Sequence, residues 1–251
     1  MRQLIHTLLD WIYPPRCMSC RNPLPLQDEA RRSLWLCEYC QNLFIPLETP
    51  GCNTCSAPVD PGVTTCSSCY GKTFYFLHNR SAFAYEDLVR DMIHEIKFRK
   101  RKHVAQGLGQ LWAKMMTEAP SSDSTPIPPD AILVTLPMHP KKRRERGFDQ
   151  AAIMAKALAA ATGNKLSNIL ERTKDTPPQS GLHPSQRIEN VSGAFRINPK
   201  TANLAGQKFI IVDDIYTTGA SLNECARVLK SAGAQEIYAM TLAIAIKKPE
   251  K

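Results

Sequence analysis

FIIVDDIYTTGAS, residues 209–221, is the stretch that decides the fold of this chain. Four apolar residues run into two adjacent carboxylates, Asp213 and Asp214. Ile215 and Tyr216 follow, then the turn Thr217-Thr218-Gly219-Ala220-Ser221, and the pattern becomes helical at once. An apolar run of this kind suits a strand buried on both faces of a parallel sheet. A glycine-containing turn between such a strand and a helix start offers free N–H groups and the positive end of the helix dipole, which together can surround a phosphate. Thr217, Thr218 and Ser221 add hydroxyl donors, and Gly219 lets the backbone approach closely. Two carboxylates would repel a bare phosphate. They fit a ligand that also carries hydroxyls or a metal ion near its phosphate, as a ribose 5-phosphate with Mg²⁺ does. The stretch is not a Walker A loop, because the GK[ST] lysine is missing. A plain strand–helix junction with solvated aspartates is the alternative reading.

The same alternation extends outward. SAFAYE (81–86) reads as a strand, and EDLVRDMIHEIKF places apolar residues at 88, 89, 92, 93 and 96, a helical period. HVAQGLGQLWAKMM continues helically, with Val104, Leu108, Leu111, Trp112 and Met115 on one face. Residues 118–130 form a loop by composition. AILVTLP (131–137) is a short buried strand, and FDQAAIMAKALAAATG is an alanine-rich helix stopped by Gly163. AFRI is a weak strand and KFIIVDD a strong one. SLNECARVLKSAG is a helix with Leu222, Cys225, Ala226 and Leu229 on one side, and EIYAMTLAIA is the last strand. Strands alternating with helices imply βαβ units and a mainly parallel sheet flanked by helices, whose ligands bind beyond the carboxyl ends of the strands.

Eight of the nine cysteines fall in four C-x-x-C pairs: Cys17/Cys20, Cys37/Cys40, Cys52/Cys55 and Cys66/Cys69. Two such pairs supply the four thiolates that Zn²⁺ takes in structural sites, so four pairs suggest two zinc ions. In sequence order the ligand sets are Cys17, Cys20, Cys37, Cys40 and Cys52, Cys55, Cys66, Cys69; a crossed pairing would use the same residues. The segment is rich in proline and glycine and poor in apolar periodicity, so metal binding would supply its folding energy. A thioredoxin-like redox role needs only one pair, in a βαβ context. Repeated pairs of this kind indicate metal in a reducing cytoplasm rather than disulfides. LIHTLLDWIYPP at the start reads as an amphipathic helix capping this module, not as a signal peptide.

The chain has 251 residues, 43% of them apolar, and a formal net charge of +9. That allows one large domain, or one medium domain with a small module. The charge favours anionic partners without choosing among phosphates, nucleic acid and membrane surfaces. No apolar run approaches the roughly 20 residues of a membrane span.

FIIVDDIYTTGAS resembles the 5-phosphoribosyl-1-pyrophosphate (PRPP) motif of class I phosphoribosyltransferases along all thirteen positions, with Ser221 where threonine is more frequent. Thr217 stands where purine-salvage members use an aspartate to help protonate the base. The ordered set of four cysteine pairs, MIHEIKFRKRKHVA, LPMHPKKRRERGFDQA and ERTKDTPPQSGLHPSQRIENVSGAF widens the likeness to nearly the whole chain, which resembles the ComF family.

That resemblance implies an α/β class I phosphoribosyltransferase-like parallel sheet over residues 78–248, behind an N-terminal helix and double zinc ribbon over residues 1–72. It implies binding of PRPP with Mg²⁺, two structural Zn²⁺, and a place in natural competence, handling incoming single-stranded DNA with competence-machinery proteins and without membrane insertion. Asp213 and Asp214 would hold the ribose hydroxyls and tune the metal, and Thr217, Thr218, Gly219, Ala220 and Ser221 would anchor the 5-phosphate. By the same resemblance LPMHPKKRRERGF is the pyrophosphate loop, with Arg143 and Arg146 toward the site, the lysines outward and His139 structural. The segment after Glu171 is the mobile loop and hood, with Arg172, Thr173, Gln179 and Arg187 as ligand contacts. Lys97 would point inward from KFRKRK. A non-catalytic DNA- or protein-binding adaptor on the same fold is the competing reading.

Overall fold

The computed structural model describes residues 14–24, 35–47, 51–118, 128–176, 184–201 and 203–246. Gln179 and nearly all of the expected N-terminal helix lie outside the described residues. In chain order the elements are α1 (Glu38–Asn42), β1 (Asn79–Ala84), α2 (Asp87–Phe98), α3 (Lys102–Glu118), β2 (Ile132–Thr135), α4 (Pro140–Arg146), α5 (Gln150–Thr162), β3 (Leu170–Arg172), α6 (Pro184–Val191), β4 (Phe195–Ile197), β5 (Lys208–Tyr216), α7 (Ala220–Ser231) and β6 (Glu236–Ile244).

β5 and β6 are the long apolar runs and take the centre of a four-stranded sheet of order β1-β6-β5-β2. Every pairing in it is parallel, with Val212 opposite Met240 and Asp213 opposite Thr241. One face is covered by α2, α3 and α5, whose Ile93, Ile96, Leu108, Trp112, Met154 and Leu158 pack on Ile210 and Val212. The other carries α7, whose Leu222, Cys225 and Leu229 pack on Phe209 and Ile211. The alternation of β5 side chains between the two clusters follows from the period of two along a strand.

The helices form where their apolar residues share a face. α2 buries Val89, Met92, Ile93 and Ile96, each worth roughly 1.5–3 kcal/mol when removed from water. α5 starts at Asp149, whose side chain accepts from Ala152 N at 3.1 Å, and stops at Gly163 in the left-handed region. Gly109 of α3 lets the two helices come close: a β-carbon there would lie 3.1 Å from the Met154 Cα.

Several expectations are corrected. β5 does not end at the carboxylates but runs on to Tyr216, because Ile215 and Tyr216 still find apolar partners on the two faces. AFRI does not join the parallel sheet; β4 pairs antiparallel with β3 in a separate ribbon. Three residues with one apolar side, Phe195 inward and Arg196 outward, suffice to cover α7 but not to fill a sheet interior. The basic segment after His139 is a short helix, α4, begun by Pro140 and ended by Gly147 at φ 85°. The hood contains a helix, α6.

The cysteine module packs against both cores. Leu24, Leu36 and Phe44 from its first half reach Phe83, with the Phe44 and Phe83 rings edge to face at 5.2 Å. Cys52, Cys55 and Cys69 from its second half, and Phe76 just after it, belong to the same cluster as Tyr216, Ala220 and Ile244.

Candidate functional site

The carboxyl end of β5 divides its two acids between the sheet faces. Asp214, 4% exposed, turns toward α2 and α5: Lys97 Nζ lies 2.9 Å from its Oδ2, and Gln150 Nε2 donates to the same oxygen at 3.1 Å. Gln150 Oε1 accepts in turn from Arg146 Nη1 at 2.5 Å. A file of side chains thus connects the basic helix to the acidic strand end. Asp213 lies on the α7 side, where Arg172 and Cys225 feel its charge. Burial first, and then the Asp214 charge, raise Asp213 well above the usual carboxylate range. Pleating separates the side chains, and Asp214 is engaged by Lys97 and Gln150.

Beyond Tyr216 the chain makes the expected turn. Thr217 is exposed, Thr218 and Ser221 are half-buried, and Gly219 and Ala220 are buried. Gly219 caps α7 in the left-handed region at φ 75°, and Thr218 Oγ1 accepts from Ala220 N at 3.4 Å. A β-carbon at 219 would meet Tyr216 Oη at 2.5 Å, so glycine is required by space as well as by φ. The first turn of α7 leaves its amides toward the loop, where an anion can take them.

Among the basic residues, Arg146 is half-buried and Arg143 exposed, with Asp149 in the field of Arg143. Burial raises Asp149 above the usual carboxylate range. The lysines do not both face outward, which corrects that expectation: Lys142 is half-buried and donates to the Thr176 carbonyl at 3.0 Å, because α4 presents it to the hood. His139 Nδ1 caps α4 by accepting from Lys141 N at 3.4 Å, and it faces Asp175 at 3.6 Å.

In the hood, Arg172 lies over the Phe195 ring at 5.2 Å and donates to Thr176 Oγ1. Thr173 N donates to the Ala194 carbonyl at 2.8 Å. Arg187 is half-buried on α6. Glu224 of α7 accepts from Gly193 N at 2.8 Å and from Arg227, which fastens this segment to α7.

The thiols assemble in sequence order. The ligand atoms of Cys17, Cys20, Cys37 and Cys40 lie within 4.8 Å of one another, and so do those of Cys52, Cys55, Cys66 and Cys69. Four sulfurs at such spacing suit tetrahedral Zn²⁺. A hydrogen bond with Cys55 is the first cause holding Cys69 down to about 6, the behaviour of a thiol that ionises readily and binds metal. The amide of Cys66 donates to Cys52 Sγ at 3.3 Å and that of Ala57 to Cys55 Sγ at 3.4 Å, contacts that steady thiolate charge.

Two participants escape a reading of the sequence alone. Gln150 joins Arg146 to Asp214, and its signal was its place on the buried stripe of α5 with Ala151, Met154, Ala155 and Leu158. Tyr216 underlies Gly219, and nothing local in the sequence announces it.

Comparison with known proteins agrees with this layout. A profile of the phosphoribosyl transferase domain matches residues 145–251, and one of the double zinc ribbon domain matches residues 8–70. The DNA utilization protein YhgH of Salmonella typhi is 28% identical over 91% of this chain and 96% of its own. Competence protein F of Haemophilus influenzae is 25% identical over the same shares. Competence protein ComFC of Bacillus subtilis is 24% identical over 90% of this chain and 93% of its own. Among solved structures, a hypoxanthine phosphoribosyltransferase from Staphylococcus aureus aligns with 59% of this chain and 74% of its own at 13% identity and a TM-score of 0.33, too loose a likeness to carry weight. Along nine-tenths of its length the chain is similar to competence and DNA-utilization proteins, and it carries, in order, matches to a double zinc ribbon and to a phosphoribosyl transferase domain.

Proposed function

We propose that this protein binds PRPP with Mg²⁺ at the junction of β5 and α7 and transfers its phosphoribosyl group, in the cytoplasm, as part of the handling of incoming single-stranded DNA during natural competence. The observation that carries the reading is the turn at Thr217–Ser221, with Gly219 in the left-handed region at the head of α7 and Asp213 one strand-end away. Those amides and hydroxyls would hold the 5-phosphate. Asp213 would accept from a ribose hydroxyl. Asp214 acts at one remove, by fixing Lys97 and Gln150 and through Gln150 the guanidinium of Arg146. Arg143 and Arg146 would take the charge that gathers on pyrophosphate as its bond to C1 breaks and the acceptor bonds there. Mg²⁺, held by the pyrophosphate and carboxylate oxygens, would add Lewis-acid stabilisation of the leaving group. The competence names of two relatives and the DNA-utilization name of the third support the setting.

The test is pyrophosphate release from PRPP, with and without single-stranded DNA and a panel of nucleobases, beside calorimetry with Mg-PRPP. Absence of heat for the wild type, or unchanged binding after Asp213→Asn, ends the reading. The adaptor reading draws on one observation: Phe98 is 72% exposed in the basic segment Lys97–Lys102, a stacking side chain among phosphate-seeking charges. Salt-dependent binding of labelled single-stranded DNA together with no pyrophosphate release would favour it.

A further inference from the structure

Tyr216 ends β5 at the back of the phosphate turn, and its far side faces metal ligands. Its side chain is 3% exposed and shares a packed cluster with Cys52, Cys55 and Cys69. Among the described residues its hydroxyl has no partner of hydrogen-bond geometry, although the Cys69 sulfur stands within interaction range of it. A buried hydroxyl left without a partner costs about 1–3 kcal/mol, so the arrangement calls for an acceptor on the cysteine side of the ring. A thiolate ligating zinc is such an acceptor: it keeps negative charge and lone pairs, and zinc-bound groups ordinarily receive a hydrogen bond from an outer partner. The orphaned hydroxyl is thus what the second tetrad should show if it is a zinc site.

The other side of the same ring supports the turn. A β-carbon at Gly219 would lie 2.5 Å from Tyr216 Oη, 2.8 Å from Cζ and 3.0 Å from Cε2. The ring is therefore wedged between the cysteines and the one left-handed residue that opens the phosphate cradle. The neighbourhood reinforces the link: Asn79 donates from Nδ2 to the Cys55 carbonyl at 3.2 Å and to Ser81 Oγ at 2.8 Å. Ser81 Oγ in turn meets Thr241 Oγ1 at 2.7 Å, and Thr241 stands in register with Asp213.

We propose that Tyr216 is a positioning residue that ties the second cysteine tetrad to the phosphate turn: its hydroxyl donates to the Cys69 thiolate when zinc is bound, and its ring, held there, sets the height of Gly219 in the cradle. Occupancy of the second tetrad then favours anion binding at residues 217–221, and by reciprocity a phosphate ester in the turn tightens zinc. The first tetrad, packed on the opposite core, is outside this coupling. The ligand half of the proposal rests on the PRPP reading; the zinc half does not.

Zinc transfer from the holoprotein to a chromophoric chelator tests it. Two release phases are assigned to the tetrads with Cys20→Ser, which removes an exposed ligand of the first. Tyr216→Phe keeps the ring and deletes only the hydroxyl. It should speed release from the second tetrad about 10-fold or more and leave the first phase unchanged. Gly219→Ala touches no cysteine, yet it displaces the ring and should speed the same phase. Mg-PRPP should slow that phase in the wild type and lose this protection in Tyr216→Phe, an effect that a merely structural tyrosine would not produce. A second phase unchanged in Tyr216→Phe, or unchanged in Gly219→Ala, overturns the proposal. Parallel calorimetry separates the two ideas: with no heat from Mg-PRPP the PRPP reading falls, and the two release rates alone decide the coupling.

Discussion

Lys97 Nζ sits 2.9 Å from Asp214 Oδ2 and joins the last turn of α2 to the carboxyl end of β5. Asp214 is nearly buried, whereas the Lys97 side chain keeps 23% of its surface exposed. Such a pair gains less from its charges than from not being broken, because removing one partner strands the other out of water. Lys97→Met keeps the packing of the stem and removes the charge. It should cost about 2 kcal/mol, reduced from the fully buried case by the exposure of Lys97 and by the remaining bond from Gln150. Adding Asp214→Asn should recover most of that loss in urea denaturation. A Lys97→Met protein as stable as the wild type would show that the pair holds nothing together.

The zinc prediction is a count with a consequence. Native protein should carry two Zn²⁺ per chain by mass spectrometry or atomic absorption, since each tetrad gathers four sulfurs within 4.8 Å. Because Cys52, Cys55 and Cys69 are part of the α7-side core, chelation should do more than loosen a peripheral module. The melting temperature should fall by roughly 5 °C or more. One zinc per chain, or a chelator without effect on melting, would separate the tetrads from the core.

Much of this architecture is legible before any coordinates, for a physical reason. β5, β6, α2, α3 and α5 repeat an apolar pattern over many residues, and burial on a fixed face enforces that pattern. The cysteine pairs are legible because tetrahedral thiolate geometry needs close spacing within each pair. What stays hidden is either short or distant in sequence. β3 and β4 have three residues each, too few to show a period. Asp214 is satisfied by Lys97 and Gln150 from other elements, and Tyr216 meets Cys69 across the sheet face, so no local window contains both partners. α4 was obscured by its charges. Yet Pro140 at its first position and Gly147 just past its end mark a helix as clearly as any apolar stripe.

Gln150 offers a sharper check on the file from α4 to β5. Replacing it by leucine fills a similar volume but removes both the donor to Asp214 and the acceptor of Arg146. The loss should be about 1–3 kcal/mol, the cost of leaving a buried polar group short of a partner. In a double-mutant cycle with Asp214→Asn the coupling should reach at least about 0.5 kcal/mol, as for residues in one network. Strict additivity would break the file at its middle member.

Asp213 sets stability against binding, and pH exposes the conflict. Its folded-state pKa is raised, by burial first and by Asp214 second. Below the unfolded carboxylate value, near 3.9, both states hold the proton and the group makes no difference. As pH rises past that value the unfolded chain releases its proton first, so the wild type loses stability until the folded carboxyl also ionises. Asp213→Asn cannot ionise and escapes this loss. Its melting temperature should match the wild type near pH 4 and exceed it at pH 7, by roughly 2–4 °C for each 1 kcal/mol recovered in a domain of this size. The same substitution should abolish the heat of Mg-PRPP binding, because asparagine neither draws Mg²⁺ nor accepts as strongly from a hydroxyl. A gain in melting temperature that shrinks as pH rises would reverse the sign of the linkage and place the ionised carboxylate among the groups that stabilise the empty fold.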